Sequence, residues 1–149
     1  MPLSSFAVPL SLIFIAALTT PLQAQDTTKI DLVEHATTDA VVDIGASGDS
    51  AGDILTFAND IFDGQDAHKV GSDNGWCVRV VAGKSWECFW TVSLTDGQIT
   101  VEGPFLDAGD SVLAVTGGTG KYSDVSGEMA LHARDDKGSA YDFKYTLNK

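Results

Sequence analysis

A glycine-rich run at Val112–Gly127, VLAVTGGTGKYSDVSG, contains residue types that bind phosphate in other proteins. A P-loop would need glycine and Ser or Thr at the positions that Val115 and Tyr122 occupy here. A dinucleotide fingerprint would need a third glycine where Ser123 stands, and the 29 residues that follow Gly120 are too few for a βαβ unit. The run is therefore interpreted as a glycine-rich corner between strands.

Two cysteines, Cys77 and Cys88, flank a predicted β-hairpin whose turn is centred between Ala82 and Gly83. Paired residues are symmetric about such a turn, so the cysteines face each other with their Cβ atoms about 4.5–5.5 Å apart, close to disulfide geometry. A catalytic thiol and a zinc site are the competing interpretations, but two cysteines without a nearby histidine make poor zinc ligands. We predict a Cys77–Cys88 disulfide.

Other chemically active residues follow no catalytic or metal-binding pattern. The three histidines are dispersed along the chain: His35, His68 and His132. No serine lies in a GxSxG nucleophile elbow, and the aspartates around Gly64 lack EF-hand spacing. The sequence therefore predicts no metal site, no cofactor and no hydrolase triad.

Composition limits the possible partners. The 149 residues are enough for one domain and carry a formal net charge of −12, with a pI of about 4.3. Such an acidic chain is unsuited to nucleic acid and to anionic lipid. A solvated acidic surface is the interpretation that remains.

The amino-terminal segment resembles a secretory signal peptide. Leu3–Leu22 contains no charge, and cleavage after Ala24 would leave residues 25–149 as the mature domain. No Lys or Arg precedes the apolar core, and Leu22 stands where a small residue is preferred. The alternative is a membrane anchor, which Pro9 and Pro21 would interrupt. We therefore predict a signal peptide over residues 1–24, no stable membrane anchor after cleavage, and a secreted or periplasmic protein.

The elements that must position any functional residue are short strands separated by turns. About eight or nine are predicted at 8–12 residue spacing, without a convincing amphipathic helix, which favours an antiparallel barrel or sandwich. The main predicted strands are Lys29–His35, Ala40–Ile44, Asp53–Asp63, Trp76–Ala82, Trp86–Leu94, Gln98–Phe105, Ser111–Thr116, Glu128–Arg134 and Ser139–Leu147. Several are apolar on both faces, which indicates that the outer face is also covered, as in an oligomer.

Four segments carry a resemblance to a known family. They are GDILTFANDIFDG (Gly52–Gly64), GWCVRV (Gly75–Val80), DGQITVEGPF (Asp96–Phe105) and LAVTGGTGKYSDVSGEM (Leu113–Met129). In order and spacing they resemble the allene oxide cyclase and dirigent superfamily, with secreted bacterial members the most similar. The resemblance implies an all-β, eight-stranded antiparallel up-and-down β-barrel with an apolar lumen, commonly a trimer. It also implies an isomerase that closes a ring in an oxidised fatty acid, or a dirigent protein that steers a coupling reaction.

The resemblance transfers only part of the cyclase site. Asn59 matches the asparagine that holds water near the epoxide, and Asp31 matches a carboxylate on the first strand, so these two are the candidate catalytic residues. Val33 stands where the carboxylate's asparagine partner would be, and Phe105 replaces a pocket tyrosine. Cys77 matches a pocket cysteine that a disulfide would leave without a free thiol. Epoxide cyclisation itself is therefore not expected.

Strand alternation places Leu55, Phe57 and Asn59 on one face, which would line the lumen together with Ile61. The candidate ligand-binding residues are Leu55, Phe57, Asn59, Arg79, Trp90 and Phe105. Two of them have simpler alternatives: Arg79 would contact Trp86 through a cation–π interaction, and Asn59 would satisfy buried backbone groups.

Two functions of different classes fit this barrel. The first is an enzyme or dirigent-type protein that directs cyclisation or stereoselective coupling of an apolar oxygenated molecule, mainly by fixing its conformation. The second is a non-catalytic, lipocalin-like carrier of small apolar ligands, whose lumen should contain no unpaired polar group. A barrel filled by its own side chains is the third possibility.

Overall fold

Ten strands and one short 3-10 helix make up the structure, a computed structural model that describes residues 26–149. The predicted signal peptide lies outside the described residues. The elements are β1 (Thr27–His35), β2 (Ala40–Val42), β3 (Ile54–Phe57), β4 (Asp60–Asp63), β5 (Lys69–Val81), β6 (Ser85–Leu94), β7 (Gly97–Leu106), β8 (Ser111–Gly118), the 3-10 helix (Gly120–Tyr122), β9 (Ser126–Ala133) and β10 (Ala140–Asn148). Within residues 26–149, no helix has the length and hydropathy of a membrane span.

The strands close into a barrel. Their order in the sheet is β2-β3-β5-β4-β1-β10-β9-β8-β7-β6, and pairing of β5 with β6 joins the two ends. All pairings are antiparallel, and β3 and β4 both pair with β5. Since β1 with β2 and β3 with β4 each form one interrupted wall strand, the wall has eight strands. The predicted antiparallel eight-stranded barrel is confirmed.

The first two wall strands break at the same level. The last pair before the break is His35–Asp60, and the first pair after it is Ala40–Thr56. Four residues lie between these two pairs on the β1–β2 side, whereas three lie between them on the β3–β4 side. The single extra residue acts as a bulge, which bends strands and redirects side chains. The continuous strand predicted over Asp53–Asp63 is therefore wrong in this respect, because the chain leaves the ladder at Ala58 and Asn59.

The β5–β6 hairpin has the predicted register at its cysteines. Cys77 pairs with Cys88, and their sulfur atoms form a disulfide. The turn differs slightly from the prediction, because a bulge at Val80 shifts the last pair to Val81–Ser85. The predicted disulfide is confirmed.

Reducing this disulfide is expected to lower the free energy of unfolding by about 2–3 kcal/mol, because the unfolded chain regains the entropy of a short closed loop. Urea titrations of the oxidised and reduced wild type measure the difference. The Cys77→Ala/Cys88→Ala variant is the control, since a reductant should have no effect on it. Equal stability of the oxidised and reduced proteins would contradict the expectation.

The barrel interior is filled at one end and hollow towards the other. At the closed end, where the 3-10 helix lies, Tyr122 packs with the apolar core. Five fully buried side chains fill that half: Ile61, Val92, Ile99, Val101 and Met129. The opposite end is surrounded by the β5–β6 turn, the β7–β8 loop and the β9–β10 hairpin, and any ligand would enter there.

Candidate functional site

A narrow cavity occupies the open half of the barrel. The space that water can enter measures about 40 Å³, and the whole concavity, including its open mouth, about 360 Å³. Aromatic and aliphatic side chains form most of its wall, with two carboxyl groups among them. The lining residues are Glu34, Asp39, Leu55, Phe57, Cys77, Cys88, Trp90, Phe105, Leu131, Tyr141 and Phe143.

A glycine makes room for the aromatic wall. Gly75 lies between Phe57 on β3 and its partner Trp90 on β6. A Cβ atom at this position would overlap both side chains. The rings of Phe57 and Trp90 meet edge-to-face with centroids 5.9 Å apart, and Trp90 also contacts Phe143 at 5.6 Å. The close approach of these rings depends on the missing side chain.

Two carboxyl groups meet below the cavity. Glu34, on the inner face of β1, is 5% exposed and lines the cavity, whereas Asp73 on β5 lies deeper and is fully buried. The two carboxyl groups interact: the charge of Asp73 and a hydrogen bond to it both raise the pKa of Glu34, and such a bond requires one of the two groups to carry a proton. The backbone N–H of Asn59 donates to Asp73 Oδ1 at 2.9 Å. Among the described residues, no N–H or hydroxyl donor reaches Asp73 Oδ2.

Burial makes this pair retain its proton. Desolvation raises the pKa of Glu34 well above its ordinary value, and the neighbouring charges of Asp73 and Asp39 raise it further. Desolvation also raises the pKa of Asp73, to about 6, although the hydrogen bond from Glu34 opposes the rise. Glu34 is therefore the protonated partner near neutral pH, and Asp73 is the acceptor.

Asn59 is the central residue of the break in the wall. Its Oδ1 accepts hydrogen bonds from the N–H groups of Thr37 and Thr38, and from Thr38 Oγ1, all at 3.0 Å. Its Nδ2 donates to Glu34 Oε1 at 2.9 Å and to Asp39 Oδ1 at 2.8 Å. Every polar atom of this side chain is occupied, so Asn59 positions both carboxyl groups rather than presenting a free amide to a ligand.

Phenol and indole groups complete the polar lining. Tyr141, directly opposite Glu34 in the β1–β10 pairing, lines the cavity, and burial raises its pKa to about 12, so that it remains a hydrogen-bond donor. Burial likewise raises the pKa of Tyr145. Tyr145 Oη and Trp90 Nε1 are buried without a hydrogen-bond partner among residues 26–149. Trp90 lines the cavity and Tyr145 does not, so the Trp90 indole is the donor of this pair that a ligand could reach.

Arg79 organises the mouth. Its Nη1 contacts Asp107 Oδ1 at 2.6 Å and its Nε lies 2.6 Å from Asp49 Oδ1. The guanidinium lies over the Trp86 ring, 3.9 Å from the centroid. The expected cation–π contact is present, and it leaves the guanidinium bound to two loops rather than facing the cavity.

Most of the predicted ligand-binding residues lie together. Leu55, Phe57, Trp90 and Phe105 line the cavity, with Asn59 buried beside it. Asp31 lies apart from them: it is exposed on the outer face of β1, opposite in direction to Leu32 and Glu34, and is not part of the cavity lining.

Four polar residues of the site do not appear in the sequence interpretation: Glu34, Asp39, Asp73 and Tyr141. Alternation along β1 could have identified the first, since Ile30, Leu32 and Glu34 share one face. Asp73 precedes the predicted start of its strand at Trp76, and β5 in fact begins at Lys69. Its burial depends on the break at Asn59, which no local pattern indicates.

This arrangement suits proton transfer to a ligand in an apolar environment. A carboxyl group with a raised pKa is a general acid near neutral pH, and a second carboxyl group stabilises whichever protonation state follows. Within the described residues, no three His, Cys, Asp or Glu side chains are arranged to hold a metal ion.

Known proteins share this fold. The allene oxide cyclase family profile matches residues 23–135. A pyocyanin demethylase is 25% identical, with a TM-score of 0.69 over 80% of this chain and 99% of the other. A pterocarpan synthase dirigent protein is 11% identical, with a TM-score of 0.69 over 91% and 97% of the two chains. A Diels-Alderase from Streptomyces koyangensis is 14% identical, with a TM-score of 0.66 over 84% and 69%.

The family profile covers most of the chain, and the closed barrel is the architecture that the sequence motifs imply. The chain therefore belongs to the allene oxide cyclase family.

Proposed function

We propose that this protein binds a small apolar or aromatic molecule in its lumen and directs an intramolecular rearrangement or ring closure, with Glu34 as the general acid. The observation that carries this proposal is the proton-sharing Glu34–Asp73 pair beside an aromatic cavity. The proton that Glu34 gives to one ligand atom is returned from another, so the reaction is balanced without a co-reactant. Aromatic walls supply the second contribution, by holding the reacting conformation.

Unpaired polar atoms favour this function over a carrier. A carrier of apolar molecules needs no unsatisfied polar group in its lumen, because each one costs about 1–3 kcal/mol when buried. Here Trp90 Nε1 and Tyr145 Oη have no hydrogen-bond partner of good geometry among residues 26–149, and of the two only Trp90 lines the cavity. Groups of this kind are typical of sites that complete their hydrogen bonds with a ligand.

Pyocyanin is the first ligand to test, because the relative at 25% identity is named for it. Quenching of Trp90 fluorescence measures binding, and mass spectrometry of the ligand measures turnover. Quenching with a product of unchanged mass supports the proposal, whereas loss of a methyl group from pyocyanin would contradict an intramolecular reaction. Quenching without product favours the carrier, and no quenching favours a barrel that admits no ligand.

We also propose that the barrel forms a trimer through an apolar outer patch, which consists of Val42, Ile54, Trp76, Val78 and Val80. Val42 pairs with Ile54, and Ile54 pairs with Val78, so the three residues lie side by side on neighbouring strands. Trp76 lies two residues before Val78 and therefore on the same face of β5. Trp76 is 48% exposed and Val80 is 54% exposed in the single chain. Large contiguous apolar surfaces of this kind mark interfaces.

Trp76→Lys is expected to convert the assembly into monomers, because a charge on this patch would be buried without a partner in the interface. Size-exclusion chromatography with light scattering measures the mass. Val112→Lys is the matched control, since Val112 is a similarly exposed apolar residue on β8, at 55%. A Trp76→Lys protein with the wild-type mass would place the interface elsewhere.

Export from the cytoplasm is the localisation we propose. The Cys77–Cys88 disulfide supports it, because disulfides persist in oxidising compartments. The signal peptide over residues 1–24 remains a prediction from the sequence.

A further inference from the structure

The charged side chains of the cavity are all acidic. Glu34 and Asp39 line it, and no Lys, Arg or His is found among its described lining residues. A ligand carboxylate inside this lumen would have no cation to pair with and would lie near the carboxylate of Asp39, which is solvent-exposed. Glu34 is protonated and supplies no positive charge that would compensate for this repulsion.

We propose that the cavity selects aromatic ligands that carry a positive charge, accepts their neutral counterparts more weakly and rejects carboxylates, with Asp39 as the residue that sets this preference. The inference rests on the proposed function, since it names the ligand class of the same lumen. A barrel that binds a fatty-acid anion would show the opposite preference.

Aromatic rings supply the attraction that a cation needs. Phe57, Trp90, Phe105, Tyr141 and Phe143 all line the cavity. The faces of such rings attract cations, and the attraction increases when the site excludes water. Phe105 and Tyr141 stand edge-to-face at the mouth with centroids 5.8 Å apart, so the aromatic lining begins where a ligand enters.

Trp90 adds a second preference. Its Nε1, which can only donate, is buried without a partner, and the residue is 2% exposed. A ligand with an acceptor atom would satisfy it. An indole donor does not replace a cation, because it offers one hydrogen bond and no charge.

A wide groove of about 680 Å³ adjoins the mouth and shares Phe105, Leu131 and Tyr141 with the cavity. Its charged lining residues are Asp107, Asp110, His132, Arg134, Asp135, Asp136 and Lys137. Arg134 is already bound by Asp66 at 2.8 Å and by Asp142 at 2.6 Å. Asp107 is paired with Arg79, and Asp110 with His132, each at 2.6 Å. Asp135 and Asp136 then outnumber Lys137, so the groove is acidic, and its field draws cations towards the lumen and repels anions.

The positive charge of Arg79 does not offset this field. The Asp107 and Asp49 carboxylates lie against its guanidinium, so its charge is neutralised at the mouth.

Three ligands on one ring system test the proposal: 1-methylquinolinium, quinoline and quinoline-2-carboxylate. Calorimetric titration of the full-length mature protein at neutral pH and low salt measures each affinity. We expect the cation to bind about tenfold more tightly than quinoline, and quinoline about tenfold more tightly than the carboxylate. Higher salt should reduce the preference for the cation.

Asp39→Asn should reduce the cation-to-neutral ratio to about threefold or less while leaving quinoline affinity nearly unchanged, because asparagine still accepts the hydrogen bond from Asn59. Asp124→Asn is the matched control: it removes one charge at the closed end and should preserve the ratio. Equal or tighter binding of the carboxylate, an Asp39→Asn ratio like the wild type, or no binding of any of the three would overturn the inference. The proposed function is tested separately, by turnover in the Glu34→Gln variant.

Discussion

Replacing Glu34 with glutamine is expected to lower kcat/KM by about 10²–10⁴-fold, the usual contribution of a positioned general acid. Glutamine has nearly the same shape, and its carbonyl still accepts the hydrogen bond from Asn59 Nδ2. Its amide donates to Asp73, as the protonated carboxyl group does now. The variant should therefore fold and bind normally while lacking the proton that the reaction uses.

Turnover of pyocyanin, followed by mass spectrometry, is the measurement, with Trp fluorescence reporting affinity. Glu102→Gln makes the same chemical change at an exposed position on β7 and should keep the wild-type rate. Wild-type turnover in the Glu34→Gln variant would remove proton transfer by Glu34 from the mechanism. Loss of affinity with an unchanged kcat would assign Glu34 to binding alone.

A local pattern predicts the disulfide, whereas the barrel is predicted by the family motifs, because strand spacing alone fits both a barrel and a sandwich. The Cys77–Cys88 pairing follows from symmetry about a nearby turn, and the one-residue shift at Val80 lies beyond the cysteines and does not change their register. Leu55, Phe57, Trp90 and Phe105 were placed on the lumen face by alternation and by family motifs. These relations involve neighbouring strands and short sequence separations, where backbone geometry determines the outcome.

The carboxyl pair could not be predicted in the same way. Glu34 and Asp73 are far apart in sequence, and they meet because the wall breaks at Ala58 and Asn59. The side chain of Asn59 then replaces the missing ladder bonds by binding the Thr37 and Thr38 amides. A bulge of one residue has no distinct sequence signal. The resemblance matches the first-strand carboxylate to Asp31, which is exposed on the outer face of β1.

Asn59 connects fold and function. The amide that closes the break in the wall also fixes Glu34 and Asp39, while its backbone N–H holds Asp73. Three carboxyl groups are gathered near one point by a residue whose first role is structural. Such a cluster destabilises the fold unless protons are shared within it, and buried acids retained at this cost are typical of functional sites.

Asp73→Asn is expected to make the protein more stable than the wild type at pH 8, by about 2–3 kcal/mol. Burial raises the pKa of Asp73 to about 6 in the folded protein, whereas an unfolded chain has an ordinary value near 4. Between these values the folded state binds more protons than the unfolded state. The free energy of unfolding of the wild type should therefore fall as pH rises from about 4 to about 6 and remain low above that range.

Asparagine cannot ionise, and it keeps the acceptor for the Asn59 N–H, so the variant should lose the part of this pH dependence that comes from Asp73. The part that comes from Glu34, whose pKa burial also raises, should remain. Urea titrations between pH 4 and pH 8 measure the difference, and the advantage of the variant should disappear at the acidic end. Asp31→Asn, at an exposed carboxylate, should change stability by less than about 0.5 kcal/mol at every pH. If Asp73→Asn were destabilised at pH 8, the ionised Asp73 would be contributing more through its hydrogen bonds than burial costs, and the Glu34–Asp73 pair would be a structural bond rather than a stored proton.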